Sequence, residues 1–317
     1  MRRDLDRAEP VDPARRTIFV TGATGLVGSR LCDALLAGGC TVLAHCRSAR
    51  GQVRVPGMTW LSGDLTAPGE WQDAVAEADA VVHLAGAPIA QGRWTPARKR
   101  ELRASRIETT RRIVATLASA SARPSVLVCA SASGYYGARG EARLDEGAGP
   151  GNDFLARLCV EWEAAAWGAS EAGVRVVSLR FGALLSRSGG ALARMLPLFK
   201  LGLGGSLGPP DRYFPWLHED DAIGLIEWGL GAGPRAAGAV NAVAPEAVRM
   251  GAWARCLGGV LGRPARLPVP NFVLRLVLGE LGSALVPGQH IVPRAALEGG
   301  YTFRHPRLEA ALGDLVG

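Results

Sequence analysis

The stretch IFVTGATGLVGSR, residues 18–30, decides how the rest of the chain is read. It is entered by an apolar, β-rich run from Thr17 to Thr21. It leaves as a helical pattern over residues 26–37, with Val27, Leu31 and Leu35 on one face at i, i+4, i+8. Between the two lie Gly22, Gly25 and Gly28. Such a turn needs small residues: one for the tight bend, one so that backbone N–H groups can approach a pyrophosphate, one for close helix–strand packing. The phosphates then sit at the positive end of a helix. Residues Thr21, Gly22, Ala23, Thr24, Gly25, Leu26, Val27 and Gly28 are therefore expected to cradle a dinucleotide.

The same alternation continues. Strand-like runs recur at Thr41–Ala44, Ala80–Leu84, Val126–Ala130 and Val174–Leu179, with helical patterns over residues 96–120 and 153–172 between them. Thr95 is the expected cap of the first of these helices and Pro96 its first residue. Repeated strand–helix–strand units predict an α/β fold: a Rossmann-type doubly wound parallel sheet. Past residue 185 the texture changes. KLGLGGSLGPPDRYFP, residues 200–215, reads as a loop, either a lid beside the substrate or a plain connection. Helical patterns follow near 220–230, 250–262 and 270–285. The expected organisation is a short disordered leader (1–16), a nucleotide domain (17–185, completed by parts of 215–245) and a smaller substrate-side lobe (186–317).

The end of the second strand bears on which dinucleotide is held. In NAD-binding folds an acid about 20 residues past the glycines takes the ribose hydroxyls, whereas an arginine accommodates a 2′-phosphate. Here the strand ends Ala44-His45-Cys46-Arg47-Ser48, with no acid and with Arg47 nineteen residues after Gly28. NADP is expected over NAD. Asp64 and Leu65, after the third strand, are candidates for the adenine end; Leu84, Ala85 and Gly86, after the fourth, are candidates for close backbone approach.

Composition narrows the class. Of 317 residues, 48% are hydrophobic, enough for a large core, yet no apolar run reaches the roughly 18 residues of a membrane span. The charged start, MRRDLDRAEPVDPARR, has no apolar middle and is unlike a secretory signal. Six scattered cysteines (32, 40, 46, 129, 159, 256) lack metal or redox spacing and read as reduced core residues of a cytoplasmic protein. The net charge of +7 rests on arginines spread along the chain with few aromatics near them, which argues against nucleic acid. Neither metal nor membrane is expected as a partner, and homodimeric assembly is left open.

These features resemble the short-chain dehydrogenase/reductase superfamily in its extended, nucleotide-sugar-epimerase-like branch. The segments GAPIAQGRWTPARKRELRASRIETT, SASGYYG, NDFLARLCVEWEAA, LGLGGSLGPPDRYFPWLHEDDA and VPGQHIVPRAALEGGYTFRHPRLEAAL narrow the likeness to an atypical subfamily, the "epimerase family proteins", which carries its own C-terminal domain. The superfamily's usual chemistry, as the resemblance implies, uses Tyr-x-x-x-Lys on a long helix, where the lysine lowers the tyrosine pKa, with a serine on the substrate oxygen and a supporting asparagine. This chain departs from that pattern. Four residues past Tyr135, Tyr136, Tyr213 and Tyr301 stand Arg139, Gly140, Leu217 and His305. By position the pair has become Leu155 and Cys159, the serine Ala132, and the asparagine Arg106. Cysteine at the lysine position is, by the same resemblance, the subfamily's own pattern.

The remaining catalytic candidates are Ser131 and Ser133 after the fifth strand, Tyr135 or Tyr136 in the same loop, and Arg106. The blander alternative is that the tyrosines wall the pocket and the serines cap turns. Arg93, Trp94, Tyr136 and His218 are candidates for substrate contact. Cys159 reads as core rather than nucleophile, and Asp220 or Asp221 as the cap of the following helix. The function expected is an NADP-binding oxidoreductase or epimerase-like enzyme on a small polar substrate. The alternatives are a non-catalytic NADP(H) sensor, or a cyclase, isomerase or dehydratase that uses the fold without net redox change.

Overall fold

The computed structural model describes residues 16–269, 272, 279–280 and 288–317. The expected leader, save Arg16, lies outside the described residues, as does most of the helical pattern over 270–285.

Seven parallel strands form the central sheet: β1 Thr17–Thr21, β2 Thr41–Cys46, β3 Met58–Ser62, β4 Ala80–His83, β5 Val126–Ala132, β6 Arg175–Phe181 and β7 Gly238–Ala242. Their order is β7-β6-β5-β4-β1-β2-β3, so the winding reverses between β1 and β4. Open α/β sheets bind ligands outside the carboxyl ends of the strands at such a reversal. Both faces are covered, as alternation along β1 requires. Ile18 and Val20 join the core under α1 (Leu26–Ala37) and α7 (Glu219–Gly231), with Leu31, Leu35 and Ile226. Phe19 points the other way, into a core with Trp71, Ile113, Leu117 and Trp162. That core lies under α2 (Trp71–Glu77), α4 (Thr109–Ser119) and α5 (Phe154–Glu171).

Two departures from the pattern matter for the site. β5 runs two residues past the expected end, which brings Ser131 into the ladder opposite Arg180. The helix expected over 96–120 is three pieces: α3 (Pro96–Arg103), a π-helical turn (Ala104–Glu108) and α4. Its start is as expected, with Pro96 first and the Thr95 side chain accepting from the Arg98 amide at 3.2 Å.

The C-terminal lobe has its own core. It joins α6 (Gly190–Lys200) and α8 (Met250–Val260) to the last helix, Leu308–Val316, through Leu192, Phe199, Trp253 and Leu312. The helix α7 and strand β7, from the 215–245 stretch, belong to the sheet layer instead. The glycine-rich loop is pinned to this lobe: the Leu267 amide donates to Gly204, and the Val269 amide to Ser206. A side chain at Gly205 would begin 2.1 Å from the Leu267 carbonyl. Among the described residues no helix is long and apolar enough to cross a membrane.

Candidate functional site

The turn after β1 is built around glycine for steric reasons visible atom by atom. Gly22 has φ +69°, and a Cβ there would stand 2.9 Å from the Leu84 carbonyl carbon. Gly25 caps α1, its amide donating to the Gly22 carbonyl at 2.9 Å. At Gly28 a Cβ would lie 2.1 Å from that same carbonyl oxygen. The helix can therefore start against the strand only without side chains, its first amides have no partner within the helix, and Thr24 and Gly25 beside them are exposed. Leu26 packs toward Gly189, while Val27 packs on the first core. Ala23 is buried, its amide donating to the His45 carbonyl at 3.3 Å.

The wall of the cradle is tied to the turn by Thr21. Its Oγ1 accepts from the Leu84 and Ala85 amides at 3.1 and 3.2 Å. The hydroxyl hydrogen is then left for Nδ1 of His83, 2.7 Å away, so the neutral ring carries its own hydrogen on Nε2, facing Thr109 Oγ1 at 3.4 Å. His83 is fully buried, and burial brings its pKa down to about 3. Sequence reading passed over this histidine, since nothing in its spacing distinguishes it from a core residue.

The other cofactor candidates sit on the rim. Arg47 is exposed directly after β2. Asp64 closes a local turn, Oδ1 accepting from the Thr66 amide (2.8 Å) and hydroxyl (2.7 Å), bonds that hold its carboxyl below the usual range. Leu65 is buried in the second core. Gly86 is exposed beside Arg106.

Beyond β5 the structure corrects two of the catalytic candidates. Tyr136 is fully buried. Its hydroxyl is engaged with the Asn241 side-chain oxygen at 2.7 Å and the Asp145 carbonyl at 3.0 Å, and accepts from Arg180 at 2.9 Å. Burial pushes its pKa up against the lowering pull of Arg180. It can neither meet substrate nor serve as a base, so Tyr136 is also removed from the substrate contacts. Ser131 is 3% exposed and donates to Glu163 Oε1 at 2.6 Å. Glu163 in turn holds Arg180 through two bonds of 2.8 Å. Glu163, Arg180 and Asn241 form a buried polar knot that the sequence did not reveal, because its members come from three different elements. Tyr135 and Ser133 remain half-buried beside it, with Arg180 3.5 Å from the Tyr135 ring centre.

Arg106 is 7% exposed, packed between Gly86 and the Trp162 ring. Cys159 is buried, and burial raises its thiol to about 12, so it is no nucleophile at neutral pH. Leu155, at the other family position, packs on Gly134.

The substrate candidates separate. Arg93 is exposed beside Gly279. Trp94 is buried edge-on against Phe154, its Nε1 donating to the Ile89 carbonyl. It forms one wall of a cavity of about 560 Å³ shared with Arg139, Asn152, Asp153 and Leu155, at the start of α5. A larger cavity, about 810 Å³, lies at the opposite edge, among Arg16, Asp79, Ser125 and Arg175 at the amino ends of the strands. Volume alone therefore does not mark the site. His218 is corrected: it is 1% exposed and is itself the cap of α7, Nδ1 accepting from the Asp220 amide. Asp220 and Asp221 are therefore not the caps. Asp220 pairs with Arg30, and Asp221 accepts from Tyr301 and from the Arg304 and His305 amides. His218 stacks on His305 at 3.6 Å, and with Asp220 and Asp314 the two rings offer ligand atoms within 4.8 Å of one another. The capping bond to Nδ1 leaves the hydrogen of neutral His218 on Nε2, which stands 3.3 Å from the Asp314 carboxylate but is buried without a hydrogen-bond partner.

Comparison with known proteins agrees with the sheet. The family model for NAD dependent epimerases and dehydratases matches residues 18–229, and a domain of unknown function (DUF1731) matches residues 269–315. The chain belongs to the NAD dependent epimerase/dehydratase family. Within this family it is 39% identical to an Arabidopsis thaliana protein named epimerase family protein SDR39U1 homolog, chloroplastic, over 96% of this chain and 87% of that one. It is 37% identical to an epimerase family protein of Mycobacterium bovis, over 95% and 97%. The crystal structure of human epimerase family protein SDR39U1 with NADPH superposes with a TM-score of 0.84 at 32% identity, covering 94% of this chain and 98% of that one. The atypical epimerase-family resemblance is thereby established, C-terminal region included.

Proposed function

We propose that the chain binds NADP(H) in the glycine cradle and acts as an oxidoreductase or epimerase-like enzyme on a small polar substrate at the carboxyl edge of the sheet. The observation that carries the reading is the contact of Gly28 with the Gly22 carbonyl at the winding reversal, which empties of side chains the place where a pyrophosphate would lie. Thr24, Gly25 and Leu26 would hold the pyrophosphate, Leu84–Gly86 the ribose beyond it, and Arg47 a 2′-phosphate. The human relative crystallised with NADPH supports the same choice.

The cofactor supplies hydride chemistry when bound. The chain's own part is to orient the substrate and to hold or give a proton. Tyr135 and Ser133 are half-buried hydroxyls in the loop after β5, and either can donate a hydrogen bond to a substrate oxygen. With Leu155 and Cys159 where the superfamily has tyrosine and lysine, a second reading keeps support: a sensor that binds NADP(H) without turnover. NADPH consumption across a panel of carbonyl compounds, with Tyr135→Phe and Ser133→Ala beside the parent, separates the two. Turnover lowered at least tenfold by one of these changes supports the enzyme; tight NADPH binding with no turnover of any compound supports the sensor.

A further inference from the structure

Two guanidinium groups are buried near the carboxyl edge of the sheet, and they are treated differently. Arg180, 4% exposed, spends its Nε and Nη2 on the two oxygens of Glu163. Arg106, 7% exposed, has no carboxylate within ion-pair distance among the described residues. Its hydrogen bonds go to neutral acceptors: Nη1 to the Leu102 carbonyl (3.3 Å) and Ser105 Oγ (3.4 Å), and Nη2 to the Ala87 carbonyl (3.0 Å). A guanidinium has five N–H donors. Nε of Arg106 is buried without a partner, and Nη2 has made one bond of two. The unused donors are thus the Nε hydrogen and one of the two on Nη2, the nitrogens with which Arg180 grips a carboxylate.

The position of this edge is informative. A Cβ on Gly86 would stand 3.1 Å from Cζ and 3.2 Å from Nη2 of Arg106, so the guanidinium lies flat against the residue that ends the cradle wall. Its other side faces the Trp162 ring, 5.2 Å from the centre, and Cys159 is near enough to influence it. The backbone is adapted to this placement. Arg106 is the middle residue of the π-helical turn, an irregularity frequent at functional sites. Its carbonyl is held by Thr109 and Thr110 Oγ1. Burial brings the guanidinium pKa down to about 10, which leaves it charged at neutral pH. A buried cation without a counter-charge is costly, and a ligand anion relieves that cost.

We propose that Arg106 is an oxyanion-binding residue of the site, receiving through its Nε/Nη2 edge a negatively charged oxygen of the bound ligand beside Gly86. This rests on the cofactor reading above. The oxygen belongs either to a phosphate of the cofactor or to a carboxylate or enolate of the substrate, and the experiment separates these sources.

NADPH is titrated by fluorescence into the parent, Arg106→Met, Arg106→Lys and the double variant Arg106→Met/Cys159→Lys, which returns a cation from the facing helix. Malonate and inorganic phosphate are then titrated into each NADPH complex and read as thermal shifts. A tenfold or larger loss of NADPH affinity in Arg106→Met, partly recovered in either lysine-bearing variant, assigns the oxygen to the cofactor. Unchanged NADPH affinity with a malonate or phosphate shift that disappears in Arg106→Met, and returns with lysine, assigns it to the substrate. Equal NADPH affinity in all four, with no anion shift in the parent or with one that Arg106→Met retains, overturns the proposal. A parent that binds no NADPH overturns the cofactor reading instead. Should Arg106→Met fail to fold, Arg106→Lys and the double variant decide by the same comparisons.

Discussion

Arg180 and Glu163 hold each other by two hydrogen bonds of 2.8 Å with both side chains more than nine-tenths buried. The pair organises the loop after β5: Ser131 donates to the same carboxylate, Tyr136 accepts from the same guanidinium, and the Tyr135 ring lies against it. Burial works against the charge of Arg180, but the Glu163 carboxylate overrides this and holds it ionised. Removing one partner of a buried pair leaves the other charge uncompensated, a loss of about 3–5 kcal/mol. Glu163→Gln is expected to lower the urea-unfolding free energy by that amount, and Ser131→Ala by about 1 kcal/mol. Equilibrium denaturation checks both.

The cradle allows no side chain at position 28. A methyl there would overlap the Gly22 carbonyl, so the turn or the helix start must move. Gly28→Ala is expected to weaken NADPH binding at least tenfold, read by fluorescence titration. Gly140→Ala is the control: no atom lies within 4 Å of its Cβ position, and although its φ of +58° costs about 1 kcal/mol of stability, it is expected to leave binding unchanged.

The buried histidines make the fold acid-sensitive. His83 is held neutral with its pKa at about 3, first by burial and then by His45 and Arg106, while an unfolded histidine titrates near 6.5. The unfolded chain therefore takes up the proton first. The stability this provides is complete above about pH 6.5 and declines by about 1.4 kcal/mol per pH unit below it, until the folded pKa is reached. His218, lowered by burial and by His305, acts in the same direction. Urea midpoints measured from pH 7.5 to 5 are expected to fall, and to fall less steeply in His83→Gln.

Cys159 and Cys129 are expected to resist alkylation in the native protein at pH 8 and to react in urea. Both are buried and both thiols are raised by desolvation, Cys159 to about 12. Mass spectrometry of iodoacetamide-treated protein reads the difference. Native labelling of Cys159 would instead show an accessible, reactive thiol at that position.

The glycine turn and the five strand-like runs were legible because they are local: small residues at a fixed interval, and apolar runs of the right length. Strand ends and helix interiors were less so. The two extra residues of β5 depend on pairing with β6, and the π-turn depends on how α3 and α4 meet, so neither leaves a local mark. Tyr135 and Tyr136 look equivalent in SASGYYG, yet only the second turns into the core to meet Asn241, 105 residues away. The sequence pattern suggests His218 for the pocket and Asp220 or Asp221 for the cap; in the fold His218 is the cap, stacked on His305, while Arg30 claims Asp220 from a distant helix. Side-chain placement in this chain is set by long-range neighbours, whereas its glycine turn is set by near ones.

Dinucleotide choice is read from the affinity of the unmodified chain for NADPH against NADH, with Arg47→Ala measured alongside. NADPH is expected to bind at least tenfold tighter, and the Arg47 change to erase most of that preference while NADH affinity stays the same. Equal affinities in the parent would contradict the 2′-phosphate role of Arg47, and binding of neither nucleotide would contradict the cradle itself.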